Sequence, residues 1–176
     1  MQRLIQLTHP SLQSQAGKTL TRQAARGIVL REESILLLFT ERYNDFSFPG
    51  GGVDANEDLK EGLVREMQEE TGASNVQLIR HYGYVEEFRP HKRDGFDLMH
   101  MTSHFFLCGI DHHLGEAKME SYEVNNGMRP VWVNLLDALA HNRAVMQRQE
   151  KTMGLSIQRE TYMLEHVAEH LLEQRA

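Results

Sequence analysis

Apolar residues along this chain follow two rhythms. Residues 22–31 (RQAARGIVLR) and 34–42 (SILLLFTER) hold dense blocks of Ile, Val and Leu. They predict two strands around a tight turn at 31–33, the second buried on both faces. Residues 76–88 and 97–110 predict two long strands joined by a hairpin loop at 90–95, and residues 131–133 a short strand. Leu59, Leu63 and Met67 instead recur every fourth residue, as on one face of a helix. Residues 135–149 and 156–174 predict two more helices. The last places Tyr162, Met163, Val167, Leu171 and Leu172 on one stripe, which serves either to cover the domain or to pair with a second copy in a homodimer. Residues 1–20 are Gln-rich, with a short apolar patch at Leu4, Ile5 and Leu7. They read as an arm or extra edge strand, leaving 21–176 as one domain. The order of elements predicts an α/β fold, a mixed β-sheet between helices.

Local punctuation sharpens one segment. Phe46-Ser47-Phe48-Pro49-Gly50-Gly51-Gly52 is a strong breaker whose glycines let backbone approach a ligand closely. A helix follows. Asp58 with Glu61, or Asp54 with Glu57, is its candidate capping box, and Gly72 is its natural stop.

On a wheel of about 100° per residue with Leu59 at zero, Leu63 falls near 40° and Met67 near 80°. Glu70 falls at roughly 20°, inside this apolar stripe, while Glu66 and Glu69 fall along its edge at about 340° and 280°. Three carboxylates on one flank repel one another, more strongly when desolvated. A helix gains no stability from that, so something positive is expected there. An all-oxygen cluster suits a hard divalent cation such as Mg²⁺ or Mn²⁺. Arg65, one turn before Glu69, can orient that carboxylate from its outer side.

Composition changes the picture in three ways. Over 176 residues, Lys plus Arg count 19 and Asp plus Glu 25, a net charge of −6. That argues against a nucleic-acid or anionic-membrane partner and leaves room for a small phosphorylated ligand. The longest apolar run, residues 35–39, is too short to cross a bilayer, and residues 1–10 lack a signal-peptide core. One cysteine, Cys108, cannot make an internal disulfide, which suits a reducing cytoplasm.

Residues 51–73 (GGVDANEDLKEGLVREMQEETGA) resemble the Nudix box. Gly51, Glu57, Arg65, Glu66, Glu69, Glu70 and Gly72 occupy its fixed positions. Met67 suits its first aliphatic position, and Ala73 is small for the second. The box covers 23 of 176 residues. The Phe48-Pro49-Gly50 lead-in and the strand order extend the likeness to about residues 22–140.

The resemblance implies an α/β/α sandwich that hydrolyses a nucleoside diphosphate linked to a moiety X, by water attack on the P–O–P linkage. It implies that Glu66, Glu69 and Glu70 hold the metal, with the Gly50 carbonyl as a further ligand. Glu57 and Arg65 would support the loop–helix geometry. The general base would come from the box or from a later loop holding Glu116, Glu120 and Glu123, of which Glu123 is the choice. Arg26, Arg42, Arg89, His91, Lys92 and Arg93 are candidates to meet phosphates, Arg42 foremost because it ends a strand leading into the glycine turn. Tyr43, Phe46 and Phe48 are candidates to stack on a base. Pro90 falls one residue from where the ADP-ribose branch of the family carries a proline, so X stays unassigned. The alternative is a non-catalytic nucleotide-sensing module on the same scaffold; an intact box favours the enzyme.

Other signals have ordinary readings. Gly17-Lys18-Thr19 lacks the earlier glycine of a P-loop. His166 and His170 have zinc-like spacing without a third ligand. His100 and His104 share a strand face. Met99, Met101 and Phe105 follow a strand core pattern. Cys108 reads as a buried, inert thiol.

Overall fold

The computed structural model describes residues 1–91 and 95–172. Lys92 and Arg93, with half of the expected hairpin loop, and the end of the last expected helix lie outside the described residues. The elements in chain order are β1 (Arg3–Thr8), β2 (Thr19–Ile28), β3 (Leu30–Arg31), β4 (Ser34–Thr40), β5 (Asp45–Ser47), β6 (Gly50–Val53), α1 (Leu59–Thr71), β7 (Gln77–Pro90), β8 (Leu98–Gly109), α2 (Ser121–Asn125), β9 (Met128–Asn134), α3 (Leu135–Arg148) and α4 (Ile157–Val167), which runs into a π-helical turn at Ala168–Leu172.

The strands form two sheets rather than the one expected. The first has the order β1-β7-β8-β2-β6. It is mixed: β1 runs parallel to β7 and β2 parallel to β8, while β7/β8 and β2/β6 are antiparallel. The second is built on β4, which pairs antiparallel with β3, β5 and β9. The predicted hairpin at 22–31 and 34–42 is therefore divided. Every residue of β2 is paired with β8, so only the two-residue β3 folds back on β4, through Glu32 at φ 52°. Residues 1–20 do supply an edge strand, β1.

Alternation along the strands feeds two cores. Ile28, Ile35, Leu37, Phe48 and Phe105 point to the side of α3 and α4, where Leu135, Leu139, Met163 and Val167 meet them. Leu36 and Phe106 point to the other side, against Leu63 and Met67 of α1. Ile35 through Leu38 are all buried, as a strand covered on both faces must be. Each fully buried Leu or Met side chain is worth about 1.5–3 kcal/mol of transfer free energy. The stripe on α4 is spent inside the chain: Met163 and Val167 are in the core, Tyr162, Leu171 and Leu172 pack on it, and the Tyr162 hydroxyl donates to the Leu4 carbonyl at 3.3 Å.

Capping decides where α1 begins. The Asp58 carboxylate accepts from the amides of Lys60 and Glu61, so the later of the two starts is used. Gly72 stops the helix at φ 67°, with its N–H on the Gln68 carbonyl. A side chain there would have no room, since a Cβ would sit 2.2 Å from the Gly115 carbonyl oxygen.

Candidate active site

The site is built on the turn between β5 and β6 and on the inner flank of α1. Gly50 has φ 124° and pairs opposite Arg26 of β2; a Cβ there would lie 2.1 Å from the Ala25 carbonyl oxygen, so only glycine fits. Its N–H donates to Glu70 Oε2 at 2.7 Å. Its carbonyl accepts from Arg26 Nη1 at 3.2 Å. A carbonyl has two lone pairs, so Arg26 leaves one free.

Glu70 is 5 % exposed, as its place in the apolar stripe predicts. Burial pushes its pKa up to about 8; the Gly50 N–H and Arg26 oppose that rise, while Glu123 and Glu66 add to it by repulsion. Glu66 is mostly covered and presses against Gly51, whose Cβ, were there one, would lie 2.9 Å from Glu66 Oε2. Glu69 is the outermost, its side chain 41 % exposed.

Arg65 clasps the outer rim. It donates to both Glu57 oxygens at 3.1 and 3.2 Å, to Glu66 Oε1 at 2.7 Å and to Glu69 Oε2 at 3.4 Å. Its hydrogen bonds hold the Glu57 carboxyl below the ordinary carboxylate range. Glu57 and Arg65 thus tie the loop after β6 to α1.

Glu123 arrives from the short helix α2 and is buried. Its Oε2 accepts from the Glu120 N–H at 2.7 Å and its Oε1 from the Tyr122 hydroxyl at 3.2 Å. Burial raises its pKa, and the charges of Glu120 and Glu66 raise it further. Glu116 and Glu120 are exposed. Of the three loop acids, Glu123 is the one that shares a cavity with Glu70. That cavity holds about 300 Å³, and Arg26, Tyr43, Asp45, Gly50, Glu70 and Glu123 are among the residues lining it.

The other expected contacts divide. Tyr43 lines the cavity. Arg42 lies in a turn beyond β4 rather than ending it; it holds Asn126 Oδ1 at 3.0 Å and sits over the Tyr43 ring at the cavity rim. Arg26 faces the cavity, and its Nη1 donates to the carbonyls of Phe48 and Gly50. Phe48 cannot stack on a base. It is fully buried, edge-on to Phe105 at 5.4 Å, because the turn directs it into the core. Phe46 packs on Phe39 and His141. Arg89 and His91 do not line the cavity; the Arg89 guanidinium meets Met99 Sδ at 3.4 Å.

Asp45, Arg159 and Glu160 also line the cavity. Sequence reasoning missed all three: none stands in a motif, and the last two lie far along the chain from the box. The remaining signals take their ordinary readings. Cys108 is buried, which pushes its thiol up to about 12. His166 and His170 stack on each other at 4.1 Å. Lys18 lies over the Phe96 ring.

Among the described residues, no three His, Cys, Asp or Glu side chains converge as placed to hold an ion. Arg65 engages Glu66 and Glu69, and the Gly50 amide engages Glu70. The donor set nonetheless fits a hard divalent cation. It is all oxygen, it carries surplus negative charge beside a buried carboxylate, and Gly51 leaves space for Glu66 against the loop.

The family model described as NUDIX domain matches residues 21–153. The chain belongs to the NUDIX domain family. With the family goes the enzyme class, a Nudix hydrolase. Similar curated proteins include the RNA pyrophosphohydrolases of several Campylobacter jejuni strains, 44 % identical over 39 residues, which is 22 % of this chain and 25 % of the relative. The match thus spans about a quarter of the length of those relatives. Among solved structures, a MutT NUDIX hydrolase from Burkholderia pseudomallei is 21 % identical with a TM-score of 0.46, covering 66 % of this chain and 84 % of that one. An ADP-ribose pyrophosphatase from Streptococcus suis is 23 % identical with a TM-score of 0.48, covering 66 % and 75 %. In this Nudix chain the box runs through β6, the loop after it and α1, and α4 lies beyond the matched span.

Proposed function

We propose that this Nudix hydrolase splits the P–O–P linkage of a nucleoside diphosphate derivative, with Mg²⁺ or Mn²⁺ held by Glu66, Glu69 and Glu70. The observation that carries the reading is Glu70, a carboxylate 5 % exposed, repelled by two other carboxylates, at the wall of an open cavity. Such a group serves no structural end that an apolar residue would not serve better.

A bound divalent cation would supply charge neutralisation for the diphosphate and acidification of water there. The chain's own residues do the rest. The Gly50 N–H fixes the rotamer of Glu70, and Arg65 sets Glu66 and Glu69 from outside. Glu123 is the proposed base: each of its oxygens keeps a lone pair beyond the one already engaged, and its carboxylate takes the proton of the attacking water. The bond to the bridging oxygen breaks in line, and the leaving phosphate carries off the electron pair. Tyr43 and Arg42, at the rim, are placed to meet the nucleoside and its phosphate. A net charge of −6 favours a small substrate over a nucleic-acid chain.

The test is product release from dinucleoside polyphosphates, nucleotide sugars, nucleoside triphosphates and a 5′-triphosphorylated RNA oligonucleotide, with Mg²⁺ and with EDTA. Turnover of a small diphosphate that EDTA abolishes is expected. Preference for the RNA arm would overturn the substrate class. Binding without turnover on every arm would overturn the enzymatic reading in favour of a nucleotide-sensing module.

A further inference from the structure

Glu160 is the least accessible charged group in α4, at 0 % exposure, and it lies beyond the family-matched span. Its Oε2 accepts from the Phe48 N–H at 2.9 Å. Its Oε1 accepts from Arg159 Nε at 3.0 Å and Nη2 at 2.6 Å. Arg159 is anchored in turn on Glu87 of β7, Nη1 to Oε2 at 2.5 Å. On the other side Arg26 Nη1 donates to the carbonyls of Phe48 and Gly50, both at 3.2 Å, and Arg26 Nε stands 3.9 Å from Glu160 Oε1. Both backbone polar groups of Phe48 are therefore held by buried or half-buried charged side chains. Two residues on, the Gly50 N–H meets Glu70 at 2.7 Å.

A purely structural purpose does not account for this. Buried ion pairs stabilise no better than apolar packing of the same volume, and often less well. An unpaired backbone amide at Phe48 would cost about 1–3 kcal/mol, and a hydroxyl or a water would answer it without a second buried charge. What a rigid carboxylate adds is direction. The Phe48–Gly50 turn is clamped from β2 by Arg26 and from α4 by Glu160, and its one free amide is aimed at Glu70.

We infer that Glu160 is a positioning residue for the hydrolase site: it holds the Phe48 amide so that the Gly50 N–H stays aligned on Glu70. This rests on the reading of Glu70 as part of the hydrolytic machinery. Glu160 acts through the turn and touches no substrate atom. The requirement is an acceptor at Phe48, not the charge itself.

Three variants test it. Glu160→Leu removes the acceptor and leaves Arg159 paired with Glu87. Glu160→Gln keeps an acceptor oxygen for the Phe48 N–H, removes the charge and turns its NH2 toward Arg159, which retains Glu87. Glu87→Gln disturbs the same arginine without touching the turn. Glu160→Leu is expected to lower kcat roughly tenfold or more with KM within about twofold, and to speed amide exchange at Phe48–Gly50 about tenfold. Glu160→Gln is expected within about threefold of the parent in both readouts, and Glu87→Gln within about twofold even where it lowers the melting temperature. A folded Glu160→Leu with parental kcat and exchange overturns the proposal. So does a Glu160→Gln as impaired as roughly tenfold, which decides the matter where Glu160→Leu does not fold. An equal kcat loss in Glu87→Gln overturns it as well. Amide exchange needs no turnover: if the parent chain hydrolyses nothing, the function fails on its own, and the exchange rates at Phe48–Gly50 still judge the clamp.

Discussion

The two flanks of α1 carry the same chemistry under opposite conditions. On the outer flank Arg65 joins Glu57, Glu66 and Glu69, with Arg65 and Glu69 each about two-fifths exposed. On the inner flank a line of charges runs from Glu87 through Arg159, Glu160 and Arg26 to Glu70, and all of its members but Arg26 are buried. Water screens the outer pairs, so they exchange partners at little cost and can release Glu66 and Glu69 to an incoming cation. The inner charges have lost their water and depend on one another, so they hold a geometry. One helix thus meets a movable ligand set and a rigid clamp.

The sharpest way to break this contrast is at the centre of the inner line. Arg159→Met takes from Glu87 its paired cation and leaves Glu160 only Arg26 at 3.9 Å, and should destabilise the chain by about 3–5 kcal/mol in urea unfolding. A loss below about 1 kcal/mol would mean that the line is looser than its distances say.

At the point where the flanks meet, Glu70→Gln should leave the fold intact, because an amide oxygen still accepts the Gly50 N–H. It should lower kcat about a hundredfold, near 2.7 kcal/mol. Near-parental turnover would remove Glu70 from the metal set.

Asp45 gives the contrast a pH signature. Burial pushes its carboxyl up to about 7, Glu160 adds repulsion, and Arg159 opposes. A carboxyl whose folded pKa lies above its unfolded value of 3.8 binds its proton more tightly in the folded state. Stability contributed by that proton is present at low pH and is lost as pH rises from about 4 to about 7. Asp45→Asn should therefore gain stability over the parent across that window, on the order of 4 kcal/mol at pH 8, and nothing at pH 3.5. A pH-independent difference in denaturant midpoint would refute the assignment.

The outer flank should respond least. Arg65→Met is expected to change unfolding free energy by less than about 1 kcal/mol, with even that difference fading in high salt. A larger loss would show that the rim is as rigid as the interior.

Residues read on the helical wheel behaved as read. Leu63 and Met67 are in the core, Glu70 is buried among them, Asp58 and Gly72 bound the helix, and Arg65 reaches Glu69 across one turn. Residues read by type alone fared differently. Phe48, an aromatic beside a glycine turn, is core because the turn after β5 directs it inward. Arg26, a cation near the turn, gives its Nη1 to two backbone carbonyls. Asp45 carried no signal, since a lone acid opening a short strand is ordinary until the fold buries it. The pairing of β2 with β8 instead of β4 was equally hidden, because apolar runs say that a strand is buried and not which neighbour buries it.

By itself the sequence determined the Nudix box, the helix it forms and the flank on which its carboxylates stand, because these depend on residues a turn or two apart at a fixed 3.6-residue period. Only the tertiary structure decided that Glu123 shares a cavity with Glu70 and that Glu160, 112 residues from Phe48, grips the amide of the turn. Contacts across such separations come from packing two cores against the same sheets, and no local spacing encodes them.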